Sequence, residues 1–128
     1  MKMKPNPPTV LLVDDYEDNR MMLRKLLELN GYRVVEAATG ERAVALAKLE
    51  IPDLILMDLS LPEIDGLAAT RQIRDLPELR GVPVVAVSAH DGPEFHLKAL
   101  AAGCNEYVTK PIDFGELDEV ISRLLAAG

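Results

Sequence analysis

The chain has 128 residues, 48% of them hydrophobic, and its 21 acidic and 14 basic side chains leave a net charge of −7. That length suits one domain able to bury a real core without a disulfide or structural metal, and the lone Cys104 has no internal partner for a bridge. The charge argues against nucleic-acid binding and against adhesion to an anionic membrane. No apolar run is long enough to cross a bilayer, and the lysines at the start have no apolar stretch behind them, so no signal peptide and a cytoplasmic location are expected.

Residues 1–8 hold Pro5, Pro7 and Pro8 and read as a disordered or extended tail, with the domain running over 9–128. Thr9 to Val13 is a short apolar run followed at once by Asp14 and Asp15. From Glu17 to Asn30 the apolar residues Met21, Met22, Leu23, Leu26, Leu27 and Leu29 recur at helical spacing, and Gly31 stops the helix. The Met21–Met22 pair is expected to fill core. Tyr32 to Ala37 reads as an edge strand. Thr39 caps a second helix reaching about Glu50, with Ala43, Val44, Leu46, Ala47 and Leu49 on its apolar face.

Asp53 to Asp58 is the third strand, apolar on both faces from Leu54 until it ends in the Asp58 carboxylate, the pattern of a strand inside a parallel sheet. A loop closed by Pro62 and Gly66 leads to a third helix ending near Asp75, with Leu67, Ala68 and Ile73 as its apolar positions. Pro83 to Ser88 is the fourth strand. Gly92 and Pro93 open a helix through Ala102, ended by Gly103, and Asn105 to Thr109 is the fifth strand. After Lys110 and Pro111, a last helix from Asp113 to Ala126 carries Phe114, Leu117, Val120, Ile121, Leu124 and Leu125 inward. Five alternations of strand and helix predict an α/β doubly wound parallel sheet with helices on both faces.

In such a fold the strand ends converge on one edge, where ligands bind. Asp14, Asp15, Asp58, Ser88 and Lys110 would meet there. Crowded carboxylates need a cation, and hard oxygen donors without His or Cys select Mg2+, Mn2+ or Ca2+ over zinc. A cation and an ammonium facing a carboxylate suit a phosphoryl group, which the carboxylate can itself accept as a nucleophile. Taken singly, Asp14 and Asp15 read as helix-capping acids, Lys110 as a surface lysine, Ser88 as a strand end and Tyr107 as a packing residue. It is their joint spacing that points to a site.

The chain resembles the receiver domain of two-component response regulators, of the single-domain chemotaxis-regulator kind. The features that carry the resemblance are Asp14-Asp15, Met57-Asp58, Leu61-Pro62-Glu63, Asp65-Gly66, Ser88-Ala89, and Tyr107 ahead of Lys110-Pro111; they span residues 9 to about 125. The resemblance implies a flavodoxin-like five-stranded sheet of order 2-1-3-4-5 with five helices. It implies that Asp58 accepts a phosphoryl group from a sensor histidine kinase or histidine phosphotransfer protein. Mg2+, with Mn2+ as a substitute, would be held by Asp15, Asp58 and the backbone carbonyl of Ser60, and by Asp14 largely through water. Lys110 would pair with the phosphoryl group, Ser88 would swing toward it, and Tyr107 would follow inward. Ala89 leaves room for the group, Ser60 and His90 tune its lifetime, and the Lys110–Pro111 bond is cis in many relatives.

Such a protein is a switch rather than a conventional enzyme, catalysing only its own phosphoryl transfer and dephosphorylation. If the chain is complete, its output is a protein contact through Leu97, Ala101, Tyr107, Asp113 and Phe114, the face of the fourth helix, fifth strand and fifth helix. A haloacid-dehalogenase-like phosphatase would need a second Asp where Ser60 stands, and a cap domain. A flavodoxin-like cofactor binder would need a phosphate-cradling loop where Asp14-Asp15-Tyr16-Glu17 stands. A receiver-like module that works by contact alone, without phosphorylation, gains no support from a full set of acids, Ser88 and Lys110. His90 and His96 read as loop and helix-surface residues, and Cys104 as a packed free thiol.

Overall fold

The computed structural model of the chain describes residues 7–60 and 65–127. In chain order the elements are β1 (Thr9–Val13), α1 (Glu17–Leu29), β2 (Arg33–Ala37), α2 (Gly40–Glu50), β3 (Leu54–Asp58), α3 (Gly66–Arg74), a single 3-10 turn (Pro77–Leu79), β4 (Val84–Ser88), α4 (Pro93–Ala102), β5 (Glu106–Thr109) and α5 (Phe114–Ala127). All strand pairs are parallel, in the order β2-β1-β3-β4-β5. The expected sheet and its order are therefore both found.

Alternation along the strands divides the core in two. Val10, Leu12, Leu54, Leu56 and Val85 face one side, where Leu23 and Leu27 of α1 and Leu117 and Ile121 of α5 cover them. Leu11, Val13, Ile55, Met57, Val84 and Ala86 face the other, covered by Ala43, Leu46 and Ala47 of α2, Ala69 and Ile73 of α3, and Ala99 of α4. Every residue of β1, β3 and β4 is buried. That is why these three runs are apolar up to their last residues, and why a carboxylate at the end of β3 stands out. β2 and β5 form the edges and are partly exposed.

The caps follow local chemistry. Thr39 accepts from the Arg42 N–H at 3.1 Å, and Asp65 accepts from the Ala68 N–H at 2.8 Å. Gly103 ends α4 at φ +112°, a conformation open to glycine at little cost.

Helix packing corrects several expectations. Met21 and Met22 do not fill core: they are 48% and 53% exposed. Leu29 and Leu49 are also exposed. A helix lying on a flat sheet buries one stripe, and Leu23 and Leu27, four apart, already occupy that of α1. In α3 the buried positions are Gly66, Ala69, Thr70 and Ile73, while Leu67 and Ala68 are half-buried. The expected tail includes Pro8, whose carbonyl accepts from the Arg33 N–H at 2.8 Å, extending the ladder. Residues 1–6, and Leu61, Pro62 and Glu63 of the loop, lie outside the described residues.

Candidate functional site

The carboxyl edge gathers the acids at the ends of β1 and β3. One oxygen each from Asp14, Asp15 and Asp58 lies within 4.8 Å of the others. Asp14 and Asp58 are buried and Asp15 is exposed, so the cluster opens to solvent on one side. Asp14 is held along its whole length. Its N–H donates to the Ala37 carbonyl at 3.1 Å, and its Oδ1 accepts from the Tyr16 N–H at 2.8 Å.

Asp58 Oδ1 accepts from the Ser60 N–H at 2.8 Å, which folds the backbone of residue 60 back beside the carboxylate. Lys110 Nζ sits 3.3 Å from Asp58 Oδ2. Lys110 is placed by its own N–H, which donates to the Ser88 carbonyl at 2.8 Å and so ties the end of β5 to that of β4. The Lys110–Pro111 peptide is cis.

Three carboxylates thus face one ammonium. Burial pushes the Asp14 carboxyl above its ordinary range. The charges of Asp58 and Asp15 push the same way, against the Tyr16 N–H and Lys110. Such a donor set, all hard oxygen and short of positive charge, fits a divalent cation of the Mg2+ type.

The raised Asp14 has a consequence for stability. A carboxyl whose folded value is raised stabilises the fold while protonated, and that contribution is lost as pH rises through the folded value. At neutral pH the ionised Asp14 is therefore a liability in metal-free protein. Asp14→Asn keeps an oxygen for the Tyr16 N–H and removes the charge. It should raise the Tm in EDTA by about 3–5 °C, on the order of 1 kcal/mol, and weaken Mg2+ binding. The Tm gain should shrink as pH is lowered into the acidic range; thermal scans across pH check both signs.

Ser88 is buried at the end of β4, beside this cluster in sequence of strands, and its hydroxyl accepts from the His90 N–H at 3.1 Å. Tyr107 on β5 donates from its hydroxyl to the His90 carbonyl at 2.7 Å. Both predicted switch residues therefore grip one residue, through its two backbone groups. Two ring stacks surround that link: His90 on Phe95, with centroids 4.2 Å apart, and His96 on Tyr107, at 3.9 Å. His90 lies in a loop and His96 on a helix, as expected, but both take part in this rim. Ala89 is exposed. Cys104 is buried with Sγ 3.9 Å from Thr70 Oγ1, and burial raises its thiol, as suits a packed cysteine.

The part of His90 in this link carried no sequence signal, because His90 joins it through main-chain atoms alone. Arg20 and Glu36 were also missed: Arg20 Nη1 donates to the Asp14 carbonyl at 2.9 Å while its Nε bonds Glu36. Helical spacing assigns both arginines of α1 to a solvated face, and only the packing of α1 beside β2 brings this one to the site.

Comparison with known proteins agrees with this geometry. Residues 10–122 match the family described as response regulator receiver domain. The chain is 39% identical over 119 residues to the polar-differentiation response regulator DivK of Brucella anthropi, covering 93% of this chain and 97% of that protein. It is similar to the receiver domain of the sensor histidine kinase PA1611 of Pseudomonas aeruginosa, solved with a magnesium ion coordinated in its active site cleft. There the identity is 37% and the TM-score 0.88, over 94% of this chain and 98% of that one. It is also similar to the Vibrio cholerae chemotaxis protein CheY4, 27% identical with a TM-score of 0.88, over 92% of this chain and 98% of that one.

Proposed function

The chain belongs to the response regulator receiver family, the phosphorylation-dependent switches of two-component signalling, and from that premise we propose which of its residues do the work. Asp58 is the phosphoacceptor. Its carboxylate attacks the phosphorus of a phosphohistidine on a histidine kinase or phosphotransfer protein. An O–P bond forms, the N–P bond breaks, and the imidazole nitrogen leaves with the electron pair. Asp15, Asp58 and the Ser60 carbonyl would hold Mg2+, or Mn2+ in its place, with Asp14 acting largely through water, and the ion would supply positive charge to the phosphoryl oxygens. Lys110, 3.3 Å from Asp58 Oδ2, pairs with the phosphoryl oxygens.

Ser88 then turns its hydroxyl from the His90 N–H to the phosphoryl group. Because Tyr107 holds the carbonyl of the same residue, freeing His90 reaches Tyr107 across one residue. The output is a protein contact on Leu97, Ala101, Tyr107, Asp113 and Phe114, and the net charge of −7 opposes direct nucleic-acid binding. Catalysis extends no further than the protein's own phosphorylation and dephosphorylation. A cytoplasmic location follows from a kinase partner of this class, and no helix among the described residues is long and apolar enough to cross a membrane.

The observation that supports this reading is the meeting of three carboxylates with Lys110 Nζ 3.3 Å from Asp58 Oδ2. The test is incubation with acetyl phosphate, followed by mass spectrometry of the intact protein. A single phosphoryl adduct should appear with Mg2+, vanish with EDTA, survive acid and be lost in base. Equal labelling in EDTA would remove the metal from the reaction, and no labelling of folded protein would remove the switch.

A further inference from the structure

The Asp14–Asp15 turn is gripped by a side chain that belongs to none of the acids. Arg20, on the first turns of α1, spreads its guanidinium between two strand ends. Nη1 donates to the Asp14 carbonyl at 2.9 Å, and Nε donates to Glu36 Oε1 at 3.2 Å. Glu36 lies on β2 one residue before Ala37, the acceptor for the Asp14 N–H. The other Glu36 oxygen is taken by Arg24, which also bonds Glu28 at 3.2 Å. The Arg20 and Glu36 side chains are only 16% and 24% exposed, so this pair is less free to rearrange than an open surface pair.

The consequence lies in the peptide plane. The carbonyl that Arg20 holds belongs to the Asp14–Asp15 peptide, and a planar peptide fixes where the next residue starts. With Ala37 on its N–H, Tyr16 on its carboxylate and Arg20 on its carbonyl, Asp14 has every polar group tied. Asp15, exposed at the mouth of the cluster, inherits its starting point from that plane.

We propose that Arg20, locked by Glu36, is a positioning residue for the divalent-cation site: it fixes the Asp14–Asp15 peptide so that both carboxylates meet Asp58. This rests on the Mg2+ reading of the three acids. Charge and tether act with opposite signs at Arg20. A positive charge near a cation site weakens cation binding, so removing it as a charge alone would tighten Mg2+. Removing it as a tether loosens the ligands and weakens Mg2+. Residues that orient metal ligands typically change affinity by about 10–100-fold, while the Arg20 charge is already offset by Glu36, 3.2 Å from its Nε, and leaves little net field at the site. The tether wins.

The experiment is a Mg2+ titration of wild type, Arg20→Met and Arg20→Lys by calorimetry, with amide hydrogen exchange at Tyr16 in metal-free protein. Arg20→Met should bind Mg2+ roughly ten-fold more weakly, and its Tyr16 amide should exchange faster before any metal is added. Arg20→Lys keeps the charge but cannot fork between two acceptors, and it should weaken nearly as much. Unchanged or tighter binding in Arg20→Met, or wild-type affinity in Arg20→Lys, overturns the positioning role and leaves the metal site standing. Failure of wild type itself to bind Mg2+ overturns the metal reading, and this inference with it.

Discussion

Asp58→Asn is expected to lower phosphoryl incorporation from acetyl phosphate by at least roughly three orders of magnitude, because an amide is no nucleophile and removal of a covalent nucleophile costs on that order or more. The loss should come without unfolding. Asn at this position still offers an oxygen to the Ser60 N–H, which now bonds Asp58 Oδ1 at 2.8 Å. The substitution also removes one of three crowded carboxylates, the neighbour whose charge helps to push Asp14 up. The variant should therefore melt above wild type in EDTA, and the gap should narrow once Mg2+ is added to wild type. Intact-mass measurement and a thermal scan on the same sample separate lost chemistry from lost structure. Wild-type labelling in Asp58→Asn would move the acceptor to another residue.

Most of this arrangement could be read in the sequence for a physical reason. β1, β3 and β4 are buried on both faces, so their runs are apolar throughout, and the polar residues that end them mark the edge of the sheet. Asp14, Asp58 and Ser88 could be placed that way before any contact was known. Lys110 follows from the same convergence, as the residue after the fifth strand, but its role comes only from the resemblance, since a lysine after a short edge strand has no pattern of its own. Helix faces were read less well. The apolar residues of α1 outnumber what one stripe can bury: periodicity assigns Met21 and Met22 to a core that takes only Leu23 and Leu27 fully. Met22 instead lines the groove shared by Asp14 and Lys110. The Arg20–Glu36 pair and the His90 link were out of reach for a different reason. The first joins a helix to a strand that is its neighbour only after folding, and the second uses backbone atoms that every residue has.

Gly66→Ala is expected to be among the most damaging single changes in the chain, although it adds one methyl group. Gly66 begins α3, yet its backbone is pressed onto the end of β3. A Cβ there would stand 2.3 Å from the Asp58 carbonyl oxygen, 2.7 Å from the Leu59 Cα and 2.9 Å from the Asp58 carbonyl carbon. All three are backbone atoms, so no side chain can swing aside. Nor can either element easily retreat. Leu59 is tied by its N–H to the Val87 carbonyl at 3.0 Å, and α3 is held against the sheet by Ala69 and Ile73, both fully buried in the core. Forced overpacking costs typically 1–3 kcal/mol and more against rigid atoms, so a loss of about 3 kcal/mol, or roughly 10 °C in Tm, is expected. The displaced atoms belong to Asp58 itself and to the residue before Ser60. Misplacement of about 1 Å at a reacting group can cost roughly 100-fold in rate, so phosphoryl incorporation should fall well beyond the thermal effect even at temperatures where the variant is folded. Gly81→Ala is the matched control: its Cβ would meet nothing within 4 Å, and its φ lies outside the left-handed region. It should change stability by less than about 0.5 kcal/mol and leave labelling intact. A Gly66→Ala protein with wild-type Tm and labelling would mean that the end of β3 yields where its hydrogen bonds say it is held.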